Sequence, residues 1–149
     1  MRKDLQDILY DKYPSLFRQK DLPMTQTAMC WGIDTDDGWF GILDEMCAKI
    51  AEYDENKRKE LGDVHENIEF FQIKEKFGTL RIYTHYSDPV VDDIIQETCK
   101  KSATVCGACG ADKAKTKILR GWYYTFCDPC REDYIEKMKQ REAEIKGED

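Results

Sequence analysis

Residues 106–130 read CGACGADKAKTKILRGWYYTFCDPC. Two Cys-x2-Cys pairs, Cys106/Cys109 and Cys127/Cys130, stand 17 residues apart, which is the spacing of a four-cysteine zinc site. Each pair forms a tight turn that brings its two sulfurs within about 4 Å, as a tetrahedral ion with Zn–S bonds near ~2.3 Å requires. Gly107 and Gly110 suit the backbone of such a knuckle. Between the pairs, Lys117-Ile118-Leu119 and Tyr123-Tyr124-Thr125-Phe126 flank Arg120-Gly121-Trp122 and predict a β-hairpin. The second pair opens a run from Arg131 to Lys146 rich in strong helix formers, with Tyr134, Ile135, Met138 and Ile145 as its apolar stripe. A knuckle, a hairpin and then a cysteine pair opening a helix is the treble-clef layout; a zinc ribbon would place the second pair in another hairpin. Amides at the helix N-terminus stabilise the Cys127 and Cys130 thiolates. The predicted cofactor is one structural Zn2+ held by Cys106, Cys109, Cys127 and Cys130.

Upstream, apolar residues recur at helical spacing over residues 3–18 (Leu5, Ile8, Leu9, Tyr13, Leu16), with Pro14 as a break. Met29, Trp31 and Ile33 alternate as a short strand would. Phe40, Leu43, Met46, Cys47 and Ile50 mark an amphipathic helix over about 38–55, with Asp36 or Asp37 as its N-cap. The acidic turn Asp34-Thr35-Asp36-Asp37-Gly38 is not a calcium loop, because aligning Gly38 as sixth residue puts Ile33 first and Asp44 twelfth. Residues 54–66 read as a charged linker. Two alternating runs, Ile68 to Ile73 and Leu80 to Tyr86, flank the turn Glu75-Lys76-Phe77-Gly78 as a hairpin. Two strands alone are marginal, so the hairpin lies on helices or gains a third strand from 28–33. Asp88-Pro89 starts a helix with Val91, Ile94, Ile95 and Thr98 inward. The expected fold is α+β: a helix-and-hairpin body over 1–103, then the finger and long C-terminal helix over 104–149.

The 149 residues suffice for a core that buries roughly 70% of the unfolded surface. No apolar run approaches the ~18 residues of a membrane helix. Met1-Arg2-Lys3-Asp4-Leu5 leads into acids rather than an apolar stretch, so no signal peptide is expected. Seven cysteines, an odd number, argue against a disulfide framework. The three outside the finger, Cys30, Cys47 and Cys99, have apolar neighbours and read as core residues.

The net charge of −7 is unevenly spread. Residues 1–98 carry 12 basic and 21 acidic side chains, and residues 99–149 carry 11 and 9. A small basic patch, Lys100, Lys101, Lys113, Lys115, Lys117 and Arg120, therefore stands on an acidic body. The summed field opposes non-specific coating of nucleic acid. The patch either offsets a thiolate site or contacts phosphate through Lys113, Lys115, Lys117 and Arg120. A catalytic centre is not expected. The only histidines are His65 in the charged stretch and His85 on a strand face, the finger has none, and four cysteines leave a zinc ion no open position.

Two segments resemble an uncharacterised family of small bacteriophage and prophage proteins: Gly38-Trp39-Phe40-Gly41-Ile42-Leu43-Asp44-Glu45-Met46-Cys47, and Gln72-Ile73-Lys74-Glu75-Lys76-Phe77-Gly78-Thr79-Leu80-Arg81-Ile82-Tyr83. The Cys106–Cys130 finger with Gly121-Trp122 matches that family's usual ending. The resemblance implies no known activity. It implies a viral accessory protein in bacterial cytoplasm, acting on host enzymes or defences. The expected role is binding to a host protein, with Trp31, Trp39, Trp122 and Tyr123 as aromatic anchors and Asp34, Asp36 and Asp37 as acids that steer a basic partner. The alternative is a nucleic-acid-binding finger using the 100–120 patch, with Trp122 and Tyr123 stacking on bases. If Trp122 serves neither, it covers the zinc knuckle and docks the finger on the body.

Overall fold

The computed structural model describes residues 1–147. Helix α1 spans Lys3–Lys12 and stops two residues short of Pro14. A proline forces its predecessor out of helical geometry, and Tyr13 sits at φ −129°, ψ 55°. The expected continuation to residue 18 is replaced by turns that still bury Leu16 and Phe17. Met29–Trp31 form a 3-10 turn, and strand β1 is only Ile33–Asp34. Asp37–Trp39 form a second 3-10 turn ahead of helix α2, Phe40–Leu61. The expected aspartate cap is absent: the Asp37 carboxylate instead accepts the Arg2 amide at 2.8 Å.

Helix α2 runs through most of the stretch read as a charged linker. Glu, Lys and Arg are good helix formers, and Glu55–Lys59 and Lys57–Glu60 pair along its surface. Strand β2 (Phe70–Lys76) and strand β3 (Thr79–Thr84) form the hairpin, shifted two residues later than expected at the first strand, with an irregularity between Phe70 and Gln72. Strand β1 joins β2 in parallel, Ile33 opposite Ile73, so the sheet has the third strand, in the order β1-β2-β3. Helix α3 spans Pro89–Ser102, and the Asp88 side chain caps it by accepting the Val90 and Val91 amides. The main core lies between α2, α3 and one sheet face, around Leu43, Met46, Ile50, Ile73, Leu80 and Val91.

The finger hairpin follows as β4 (Lys115–Leu119) and β5 (Trp122–Phe126), then helix α4 (Asp128–Gly147). The fold is α+β, with a treble-clef-like C-terminal unit. Tyr134 of the predicted α4 stripe packs on Tyr124 and Phe126, while Ile145 is exposed, because α4 continues past the small hairpin. A second apolar cluster, Cys106, Ala114 and Phe126, belongs to the finger; Val105 is the last residue of the main core. Among the described residues, no helix is long and apolar enough to cross a membrane.

Both hairpins close with a two-residue turn whose residues take positive φ: Phe77 (55°) with Gly78 (83°), and Arg120 (53°) with Gly121 (83°). That is the handedness matching strand twist, and it favours glycine. At Gly78 the demand is double, since a Cβ would also stand 2.9 Å from the Thr116 Cγ2 of the finger. Gly78→Val is therefore expected to lower stability by more than ~1 kcal/mol, measured by urea titration. An unchanged midpoint would show that the turn tolerates a side chain.

Alkaline pH probes the packing. Burial, aided by Asp7 and Asp21, pushes the Tyr10 phenol up to about 12, and burial with Asp54 and Glu66 nearby does the same for Tyr86. Burial also pushes up the fully buried Cys47 thiol. These folded-state values lie above the unfolded ones, 10.0 for tyrosine and 9.0 for cysteine. Their stabilisation is thus complete below pH 9 and is lost as pH rises toward 12. The melting temperature should hold from neutral pH to about 9 and then fall steadily; equal melting at pH 8 and about 11.5 would contradict this burial pattern.

Candidate metal centre and the seam it anchors

The four sulfurs of Cys106, Cys109, Cys127 and Cys130 all lie within 4.8 Å of one another, with Cys109 and Cys127 3.7 Å apart. The first pair sits on a knuckle closed by Gly110 N–H to Cys106 O and Cys106 N–H to Ala111 O, both 2.8 Å. The second pair lies at the start of α4, Cys127 just before it and Cys130 in its first turn. Arg131 steadies this junction by donating to the carbonyls of Lys115 and Phe126 at 3.0 and 2.9 Å.

The thiols respond to this crowding. Burial alone would raise Cys106, but amides of Cys127, Cys109 and Ala108 around its sulfur outweigh it and bring the pKa down to about 7. Burial and then the neighbouring sulfurs push Cys130 up. Four like groups in one small space cannot all ionise unaided, whereas a divalent cation at their centre removes the conflict. The donor set and spacing fit a tetrahedral ion with no vacant position.

The finger is tied to the body by backbone-level contacts. The buried Trp39 donates its indole N–H to Val105 O at 2.9 Å. Gly38 N–H donates to Gly107 O at 2.8 Å, and within the finger Gly107 N–H donates to Thr125 O at the same distance. Gly38 has no room for a side chain: a Cβ there would stand 2.2 Å from Cys106 O. The Thr125 hydroxyl donates to Gly78 O. Trp39 is thus a correction to the expected anchors. Only 2% exposed, it cannot meet a partner, because its indole fills the junction just ahead of the first knuckle. Trp122, read alternatively as the knuckle's cover, is 71% exposed at the hairpin tip, and Trp39 does the docking instead.

Of the other expected contacts, Trp31 and Tyr123 are exposed. Asp34 and Asp36 are also exposed and, with Glu75 and Tyr124, line a cleft of about 180 Å3 at the seam. Asp37 is engaged by Arg2. Lys113, Lys115 and Lys117 are exposed, but Arg120 pairs with Glu142 of α4. Cys30 and Cys99 are half-buried rather than core.

Sequence reading missed two features. Phe77, 59% exposed, meets Tyr123 edge-on at 5.7 Å, and the two line a second cleft of about 340 Å3 with Lys74, Lys76 and Trp122. The signal was a large aromatic where such a turn prefers Asn or Asp. The other is the buried Asp54, which accepts from Ile68 N–H at 3.0 Å and bonds the His65 ring at 2.9 Å, tying the later part of α2 to the segment that leads into β2. Compared with known protein families, curated proteins and solved structures, the chain shows no match.

Proposed function

We propose that this is a non-enzymatic binding protein, stabilised by one zinc ion on Cys106, Cys109, Cys127 and Cys130, whose target is another protein. The observation that carries the reading is the aromatic cluster where the two hairpin tips meet: Trp122 71%, Phe77 59% and Tyr123 43% exposed. Such residues bury large rigid surfaces on association and dominate protein interfaces. Asp34 and Asp36 beside the seam add a charged rim. With the phage resemblance, this points to a viral accessory factor in bacterial cytoplasm that binds a host protein and inhibits an enzyme or defence system. The test is affinity capture from a bacterial lysate with parallel Trp122→Ala and Phe77→Ala baits. A partner held by the native chain and lost from both variants supports the reading; identical capture by all three removes it.

A second reading, nucleic-acid binding through the finger, has one observation in its favour: Lys113, Lys115 and Lys117 form no ion pair among the described residues. Contacts to three phosphates give a salt slope of roughly 0.9 each, so such binding should vanish by about 0.2 M salt. Sub-micromolar, sequence-dependent binding abolished by Lys113→Ala, Lys115→Ala and Lys117→Ala together would reverse the ranking.

A further inference from the structure

We infer that the outer edge of β4 takes up an extended, acid-rich strand of the protein partner, by pairing with Thr116 and Ile118. This rests on the protein-binding reading above and specifies one segment of the partner, distinct from the part that faces the Asp34 and Asp36 rim.

Ladder phase decides which backbone groups face outward. A two-residue turn makes its flanking residues a hydrogen-bonded pair, and such pairs alternate along an antiparallel hairpin. Leu119 and Trp122 flank Arg120-Gly121, so Lys117–Tyr124 and Lys115–Phe126 are the other bonded pairs. Thr116 and Ile118 then aim their amides and carbonyls outward from β4, as Tyr123 and Thr125 do from β5. Two observed bonds check this phase. Thr125 O is met from outside by Gly107 N–H, and by the same count at the first hairpin Leu80 N–H points outward, onto Ser102 Oγ at 2.9 Å.

Each other sheet edge has at least one outward backbone group bonded from within the chain. On β1, Ile33 N–H donates to Gln6 Oε1 at 3.0 Å. Ser102 Oγ accepts the outward Leu80 N–H of β3, and Gly107 N–H donates to the outward Thr125 O of β5. Among the described residues, no group bonds the outward backbone of Thr116 or Ile118, and Lys115 through Ile118 are exposed throughout.

Charge selects the occupant. In residues 1–60 every Lys and Arg except Arg58 forms an ion pair. Between Lys74 and Lys117, among the described residues, only Lys101 does. Lys115 and Lys117 alternate along the open edge. Lysines on an edge strand repel a second copy of the same strand and discourage neutral ones. An acidic strand converts that repulsion into cross-strand attraction. Ile118, 58% exposed, lies on the opposite face from these lysines, next to its cross-strand neighbour Tyr123. The fitting strand therefore alternates acids, opposite Lys115 and Lys117, with apolar residues opposite Ile118.

The experiment titrates 15N-labelled, zinc-loaded full chain with a capped heptapeptide of alternating Glu and Val. Amide shifts centred on Thr116 and Ile118 are expected, with affinity reduced about tenfold or more at about 0.5 M salt. A Lys–Val peptide should not bind, and the Glu–Val peptide N-methylated at alternate residues should lose its binding. The Lys115→Glu/Lys117→Glu double variant should prefer the Lys–Val peptide. No shift at millimolar peptide, or equal shifts with the N-methylated version, overturns the proposal, as does an oligothymidylate of equal charge that binds this edge more tightly. A partner captured through Trp122 but indifferent to the lysine double variant would sink the edge while leaving protein binding in place.

Discussion

Cys109→Ser is expected to abolish stoichiometric zinc and unfold the C-terminal third of the chain. Structural zinc supplies about 10–16 kcal/mol of apparent binding free energy in finger peptides, far more than the finger's small apolar cluster, Cys106, Ala114 and Phe126, can replace. The damage should reach the body, because Gly38 and Trp39 are bonded to the finger's backbone. Tryptophan fluorescence separates these effects. Trp31 and Trp122 are 69% and 71% exposed in the folded chain, so a red shift on metal loss reports Trp39 leaving its site. Native protein carrying less than about half an equivalent of zinc, with an unshifted spectrum in chelator, would refute the site as a structural one.

Trp39→Ala should be the next most damaging change. Removing a buried tryptophan costs about 3–5 kcal/mol, and here it also strips the Val105 carbonyl of its donor. The zinc content should survive, since all four cysteines remain, while the urea midpoint of the body falls. Trp122→Ala is the matched control and should stay within about 0.5 kcal/mol, because that indole is exposed. A Trp39→Ala cost below about 1 kcal/mol would mean that the finger is held by something other than this indole.

The four-cysteine cluster is legible in the sequence because thiolate coordination would constrain chemistry and spacing together, so the pattern alone singles out Cys106, Cys109, Cys127 and Cys130 from the seven cysteines. Both hairpins and the Asp88-Pro89 start of α3 are legible too, since turn and cap residues carry local signals. The reach of α2 to Leu61 is not, because a charged run reads alike as a solvated helix face and as a linker. The role of Trp39 is also hidden. Its acceptor lies 66 residues away, and local pattern cannot say which of three tryptophans faces inward. The same holds for Asp54, whose partners belong to the segment after the helix.

The 66-residue separation of Trp39 from Val105 also bears on synthesis. At ribosomal speeds of about 5–20 residues per second, the indole emerges roughly 3–13 seconds before the carbonyl that receives it. For that interval the nascent body can gather α2 and the first hairpin but cannot close its last wall. A sticky aromatic surface then stays open, and chaperones and neighbouring nascent chains compete for it. Because synthesis runs from the N-terminus, the segment that supplies the Trp39 acceptor is the last part of this junction to become available.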